Sequence, residues 1–222
     1  MKILLAPSER KTKGGNEAPF FSFKIQDEAI KRYDEFLQTT DDVKNFGEDK
    51  TPVLSRPCKD AILRYSGVAF EYLDYESLDN VSKEWLNENL IIFSNLFGIL
   101  KPTDKIPYYV LKQGKKPGFD IYSYYKEKVT EILDSLDEEY IDLRAKFYEK
   151  IYKPKRAITF KFIKDGKVVS HFAKAYRGLL TRYIALNRPS NIEELLKIEF
   201  PGIKIAEIIE KKAIREIVCE II

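Results

Sequence analysis

The sequence has few of the residues that usually carry metal or redox chemistry. Its 222 residues include two cysteines, Cys58 and Cys219, and one histidine, His171. The cysteines lie far apart and neither belongs to a CxxC pair, so a zinc site built from both and the histidine is not expected. Iron sites need clustered cysteines or histidine with carboxylates, and one histidine with two separated cysteines does not favour a dedicated iron site. We therefore predict no metal site and two free, partly buried thiols.

The sequence also lacks long apolar runs and the familiar nucleotide-binding motifs. No run reaches the roughly 18 apolar residues of a membrane helix. The apolar segment at the N-terminus is too short for a secretory signal and stops at Pro7. Neither a Walker motif nor GxGxxG is present, so no organic cofactor is predicted. We expect a monomeric cytoplasmic protein without a membrane partner.

Positive charge is concentrated in one part of the chain. The formal net charge is only +3, but residues 141–188 hold thirteen lysines and arginines against three acids. A block this basic predicts an anion-binding surface. The alternative interpretation is a solvated, lysine-rich surface without a ligand. The basic residues are Arg144, Lys146, Lys150, Lys153, Lys155, Arg156, Lys161, Lys164, Lys167, Lys174, Arg177, Arg182 and Arg188.

Short apolar runs alternate with amphipathic segments, which predicts a mixed α/β fold. Strands are predicted at 3–6, 90–94 and 140–143, and a hairpin at 157–172 around Asp165-Gly166. The segment 203–222 fits a helix or a strand pair, and its many β-branched residues favour the strand pair. Helices are predicted at 28–37, 81–89, 122–136, 173–187 and 191–196, with Ser82 and Asn191 as caps. Segments 46–57 and 95–104 are expected to be irregular. We predict a single domain over 1–222, with a mixed central sheet and flanking helices.

Three loops follow presumed strands, at 7–15, at 65–67 after the apolar segment that starts at residue 61, and at 95–104. In open α/β sheets, ligands bind beyond the carboxyl ends of the strands. Loops that contain Gly, Ser, Lys and Arg offer backbone N–H groups and cations to phosphate. These loops are therefore the expected walls of a binding site.

A second set of candidates surrounds the only histidine. If Glu9, Ser170, His171 and Lys174 meet in the fold, they resemble acid–base machinery. A lone histidine is more often structural, and the sequence leaves both interpretations open. Nearby, Lys174 and Arg177 share one face at the start of a predicted helix, where the helix dipole favours anions. Gly178 follows inside that helix, where glycine costs about 1 kcal/mol against alanine, which predicts a close approach by a backbone or a ligand.

Several segments together resemble the bacterial peroxide-stress protein family. They are Leu5-Ala6-Pro7-Ser8-Glu9 with Lys11 and Gly14-Gly15, Tyr65-Ser66-Gly67 with Leu73-Asp74, residues 97–108, Asp142-Leu143-Arg144, and residues 170–174 with Gly178. The resemblance implies a mixed α/β domain with a basic cleft that binds double-stranded DNA. It also implies a role in limiting peroxide damage, associated with keeping free iron low.

Some members of that family carry a helix-hairpin-helix turn after the first long helix. This chain has Asn45-Phe46-Gly47-Glu48-Asp49 at that place. Glu48 and Asp49 would repel phosphate, and Pro52 limits a second helix. DNA binding through that turn is therefore not expected.

Two functions remain open at this point. The first is DNA binding, with contacts predicted from Ser8, Lys11, Lys101, Arg144, Ser170, Lys174, Arg177 and Arg182. The second is an enzyme that acts on a small phosphorylated or nucleotide-like substrate through Glu9, His171 and Lys174. A long open groove favours the first function, and a small closed pocket favours the second.

Overall fold

The apolar runs of the sequence form the middle of one sheet. In the computed structural model, which describes residues 1–169 and 172–222, eight strands join in the order β4-β3-β1-β6-β7-β10-β9, with β8 beside β7. These strands are β1 (Lys2–Leu5), β3 (Leu90–Ser94), β4 (Gly98–Leu100), β6 (Tyr140–Asp142), β7 (Ala157–Lys164), β8 (Lys167–Val168), β9 (Ile203–Lys211) and β10 (Ile214–Ile221). The strands β2 (Cys58–Asp60) and β5 (Lys105–Pro107) form a separate antiparallel pair.

The five inner strands of the sheet run parallel. β3, β1, β6, β7 and β10 pair in parallel, whereas β4 and β9 close the two edges in antiparallel fashion. Parallel strands are covered on both faces, which explains why β1 and β3 are almost continuous runs of leucine and isoleucine. Ile3, Leu4, Ile91 and Ile92 are completely buried. The predicted mixed α/β fold is confirmed.

Helices surround this sheet. They are α1 (Asp27–Thr39), α2 (Val43–Phe46), α3 (Ala61–Arg64), α4 (Val68–Leu73), α5 (Asn80–Asn89), α6 (Ile121–Ser135), α7 (Ala173–Asn187) and α8 (Ile192–Leu195). Leu86 of α5, Leu133 of α6 and Ile184 of α7 join the strand residues in one hydrophobic core. None of the helices described in 1–169 and 172–222 is long and apolar enough to cross a bilayer.

Most predicted elements are present, and four details differ. The loop at 65–67 does not follow a strand as predicted, because Ala61–Arg64 forms helix α3. Segment 95–104 contains strand β4, because Gly98–Leu100 pairs with β3. Helix α5 is capped by Asp79, whose carboxylate accepts the Ser82 N–H at 2.9 Å, so the prediction that Ser82 is the cap is wrong. The second hairpin strand is only Lys167–Val168 as described. The Asn191 cap is confirmed by its 2.9 Å bond from the Glu194 N–H.

Candidate functional site

The carboxyl ends of β1, β3 and β6 meet at one edge of the sheet. From β1 the chain first reaches β3 on one side and later β6 on the other. The strand order therefore reverses beside β1, and crevices for ligands form at such switch points. The segments that leave these strand ends are Ala6–Glu9, Asn95 and Leu143–Ala145.

A cavity of about 330 Å³ lies at this point. Strand ends form one side, and the starts of α4 and α7 form the other. Its lining residues are Leu5, Ala6, Pro7, Ser8, Glu9, Arg10, Gly67, Val68, Ala69, Phe70, Asn95, Gln113, Leu143, Ala145, Tyr148, Lys174 and Arg177. We call this space the switch-point cavity.

Gly67 lets the first loop pack against the start of α4. A Cβ atom placed on Gly67 would lie 2.1 Å from the Ser8 Oγ. That distance is far below a normal contact, so a residue with a side chain would displace Ser8. The Ser8 Oγ also accepts the Arg10 N–H at 3.1 Å, which fixes the loop around it.

Gly178 brings α7 close to α4. A Cβ atom at Gly178 would lie 2.0 Å from the Ala69 carbonyl oxygen. The close approach predicted at this glycine is thus made by the backbone of another helix. Because of it, Lys174 and Arg177 on α7 lie on the same cavity as Val68 and Phe70 of α4.

Opposite charges line the switch-point cavity without neutralising each other. The Glu9 carboxylate accepts the Gln113 N–H at 3.1 Å and forms no ion pair within residues 1–169 and 172–222. Arg177 has no ion pair in the same described residues. Burial lowers the pKa of the Arg177 guanidinium, and the Asp142 carboxylate opposes that effect. Lys174 is exposed at the rim.

A hydrogen-bonded layer supports the cavity from below. The Tyr148 hydroxyl donates to the Asn95 side-chain oxygen at 3.0 Å, and the Asn95 amide donates to the Leu111 carbonyl at 3.0 Å. Burial raises the pKa of Tyr148 well above its ordinary value, so its hydroxyl stays protonated. The arrangement fixes both side chains where β3 ends.

A second cavity of about 480 Å³ adjoins the first, and Leu143, Ala145 and Arg177 line both. Its wall includes Arg144, which is not available to a ligand. The Arg144 guanidinium grips the Asp142 carboxylate with bonds of 2.8 and 2.7 Å, and its side chain is 1% exposed. Arg144 therefore holds the β6 loop in place.

The basic residues of 141–188 fall into two groups. Lys155, Arg156 and Arg182 form ion pairs with Asp134, Asp137 and Asp74, respectively, and Arg144 pairs with Asp142. Nine others form no ion pair with any residue that the structure describes. One of them, Arg188, donates to the Ser82 hydroxyl at 3.1 Å. The other eight are Lys146, Lys150, Lys153, Lys161, Lys164, Lys167, Lys174 and Arg177, which we call the basic rim.

The basic rim lies around the carboxyl edge of the sheet. Lys146 and Lys153 line the second cavity. Since Asp142 pairs with Thr159, the later part of β7 and the hairpin extend past the end of β6, and they carry Lys161 and Lys164. Four rim cations line the walls of the two cavities: Lys146, Lys153, Lys174 and Arg177.

Three predicted DNA contacts lie elsewhere. The Lys11 amine is directed inward, 4.2 Å from the centre of the Tyr109 ring, and burial lowers its pKa to about 8. Lys101 lies at the opposite edge of the sheet and donates to the Glu88 carbonyl at 2.8 Å. Arg182 donates to the carbonyls of Leu73 and Asp74.

Of the remaining candidates, Ser8, Glu9, Lys174 and Arg177 meet at the switch-point cavity. Ser170 and His171 lie outside the described residues. Three cavity residues are not among the predicted site residues: Asn95, Tyr148 and Phe70. For Asn95 a signal existed, because it is the first polar side chain after the buried strand Leu90–Ser94. Tyr148 and Phe70 reach the cavity through long-range packing.

The turn at residues 45–49 is not followed by a second α-helix within the described residues 47–57, which contain only the 3-10 turn Val53–Ser55. The Asp49 carboxylate lies 3.3 Å from the Arg56 guanidinium. Across the described part of the chain, no group of three or more His, Cys, Asp or Glu side chains has an arrangement that suits a metal ion.

Comparison with known proteins gives a consistent result. The family model described as peroxide stress protein YaaA matches residues 1–208. The chain is 43% identical to an uncharacterized protein of Campylobacter jejuni over the full length of both. It is 32% identical to UPF0246 proteins of Corynebacterium glutamicum, covering 89% of this chain and 91% of the relative, and of Colwellia psychrerythraea, covering 75% and 71%. The chain therefore belongs to the family of the peroxide stress protein YaaA, the UPF0246 proteins.

Proposed function

We propose that the protein binds double-stranded DNA through the basic rim, as a cytoplasmic monomer that limits peroxide damage. One observation carries the proposal: four cations of 141–188 that form no ion pair in the described residues line two joined cavities at one edge of the sheet, namely Lys146, Lys153, Lys174 and Arg177. Lys155, Arg156 and Arg182, by contrast, are neutralised by neighbouring carboxylates. Any effect on damage from free iron would be indirect, through the bound DNA.

The size of the rim sets the expected salt dependence. If roughly six of its eight cations reach phosphates, log K should fall against log salt with a slope of about −5. Affinity for duplex DNA would then drop about a thousandfold between 50 and 200 mM salt. Fluorescence anisotropy with a labelled duplex at several salt concentrations measures both quantities. Absence of binding at low salt would refute the proposal.

A matched pair of variants tests the location. Lys146→Ala with Lys153→Ala removes two rim charges and should flatten the slope by roughly two. Lys2→Ala with Lys101→Ala removes the same charge at the opposite edge, where both amines contact the segment before β3. This second variant should bind DNA like the parent protein. Equal losses in both variants would indicate net charge rather than a defined surface.

The switch-point cavity favours a second candidate, an enzyme that acts on a small phosphorylated or nucleotide-like substrate. Glu9 would act as the general base, and Lys174 and Arg177 would hold the anion. Phosphorylated metabolites can be incubated with the protein and followed by phosphorus NMR. Turnover that Glu9→Gln abolishes would support this candidate, and the absence of turnover would count against it.

A further inference from the structure

The charges in the switch-point cavity suit a ligand that is itself polar at both ends. Glu9 and Arg177 line the same cavity but form no ion pair with each other. One Glu9 oxygen already accepts the Gln113 N–H, and as a carboxylate it retains capacity for another donor. A bare phosphate or an acidic peptide would meet Glu9 as a like charge. A ligand with a donor at one end and an anion at the other fits both groups.

The walls between these charges are mostly apolar. Pro7, Val68, Phe70 and Leu143 face the cavity and suit the faces of a flat ring. A volume of about 330 Å³ is at the low end for small-molecule pockets, which span roughly 300–1,000 Å³. Such a volume accommodates one nucleotide-sized group, whereas a duplex must remain outside.

The surroundings of the cavity indicate which kind of molecule carries the anionic end of the ligand. Arg177 also lines the second cavity and belongs to the basic rim. A phosphate on Arg177 would therefore be continuous with a phosphate backbone that lies along the rim. Enzymes that act on bases extrude a nucleotide into such a pocket and contact its base edge by hydrogen bonds.

We propose that the switch-point cavity receives one nucleotide, with an amine-bearing base toward Glu9 and the phosphate toward Arg177 and Lys174. The nucleotide comes either from bound DNA, by extrusion from the duplex, or from the free pool. The first source rests on the proposed DNA binding. No bond is made or broken in this step.

Two substitutions by tryptophan distinguish nucleotide binding in the cavity from DNA binding at the rim. Val68 begins α4 at the cavity and is 39% exposed, so Val68→Trp can fill the space without disturbing the core. Val81 lies in the first turn of α5, does not line the cavity and is 59% exposed, so Val81→Trp is the matched control. Neither substitution changes the charge of the rim.

The probe is a duplex with a central 2-aminopurine, either paired with thymine or in a mismatch, because this base becomes more fluorescent when it leaves the stack. The parent protein and Val81→Trp should raise its fluorescence at least twofold. They should also bind the mismatched duplex roughly five- to tenfold more tightly than the paired one, since a mismatched base costs less to extrude. Val68→Trp should bind both duplexes equally and leave the fluorescence unchanged.

Titration with deoxyadenosine monophosphate tests whether the cavity binds a free nucleotide. Binding to the parent and Val81→Trp, but not to Val68→Trp, together with unchanged 2-aminopurine fluorescence would assign the cavity to a free nucleotide. If the duplex binds with the expected salt dependence but neither probe responds to Val68→Trp, the cavity proposal is refuted while DNA binding stands. If no duplex binds at low salt, DNA binding fails, and only the free-nucleotide titration then decides the cavity.

Discussion

Gly178→Ala tests the packing that builds the switch-point cavity. On an exposed helix this change would stabilise the protein, because alanine is favoured over glycine by about 1 kcal/mol in a helix interior. Here the added Cβ would lie 2.0 Å from the Ala69 carbonyl oxygen and 2.8 Å from its carbon. Ordinary contacts of this kind begin at 3.4 Å, so α4 and α7 must move apart by more than an ångström.

The cost of this movement exceeds the gain in helix propensity. Overpacking a core costs about 1–3 kcal/mol, and the upper part of that range applies because the opposing atoms belong to a backbone. The net loss in the free energy of unfolding should be about 2 kcal/mol. For a chain of this length, that loss corresponds to a fall in Tm of about 4–8 °C.

Urea denaturation and calorimetry measure the two quantities. Asn187→Ala is the control, because Asn187 is exposed near the end of the same helix and should change stability by less than about 0.5 kcal/mol. A Gly178→Ala protein as stable as the parent would show that the helices separate without cost, and the packing argument would be wrong. Displacement of Ala69 should also abolish the 2-aminopurine response.

Three further predictions follow from single contacts. Lys174→Ala with Arg177→Ala should flatten the salt slope of DNA binding by roughly two in anisotropy measurements, and an unchanged slope would exclude both residues from the interface. Asp142→Asn leaves the buried Arg144 guanidinium without its carboxylate and should cost about 3–5 kcal/mol in urea denaturation; a loss below about 1 kcal/mol would contradict this. The pKa of Lys11 is about 8 in the folded chain against 10.5 for an ordinary lysine, so the unfolded chain binds more protons between these values. The free energy of unfolding should therefore rise from about pH 8 to 10.5 relative to Lys11→Met, and parallel curves would refute the assignment.

The sheet could be predicted because its strands carry their own signal. Leu90–Ser94 is a continuous apolar run, as expected of a parallel strand covered on both faces. Strand β4 had no such signal, since Gly98–Leu100 is only three residues long and lies in a turn-rich segment. It pairs with β3 because of its position beside that strand. Pairing with a neighbour thus decided what the local sequence left open.

The prediction of the residue that caps α5 was wrong for a similar reason. Ser and Asp are both good caps, and the sequence offers Asp79 and Ser82 three residues apart. The structure uses Asp79 as the cap and buries Ser82, whose hydroxyl donates to the Asp79 carboxylate at 2.8 Å. Which of the two residues becomes the cap depends on how the helix packs, and their spacing in the sequence does not determine that packing.

The basic block shows why charge composition predicts a surface but not its residues. Arg144 and Arg177 belong to the same block, and both line the second cavity. Arg144 lies two residues after Asp142 in one loop, so its guanidinium donates to that carboxylate and to the Tyr152 carbonyl. Arg177 projects from a helix that Gly178 holds against α4. Burial lowers the pKa of its guanidinium, and the Asp142 carboxylate, already engaged by Arg144, opposes that effect. Asp142 is thus paired with Arg144. Arg177 remains without an ion pair in the described residues and lines both cavities.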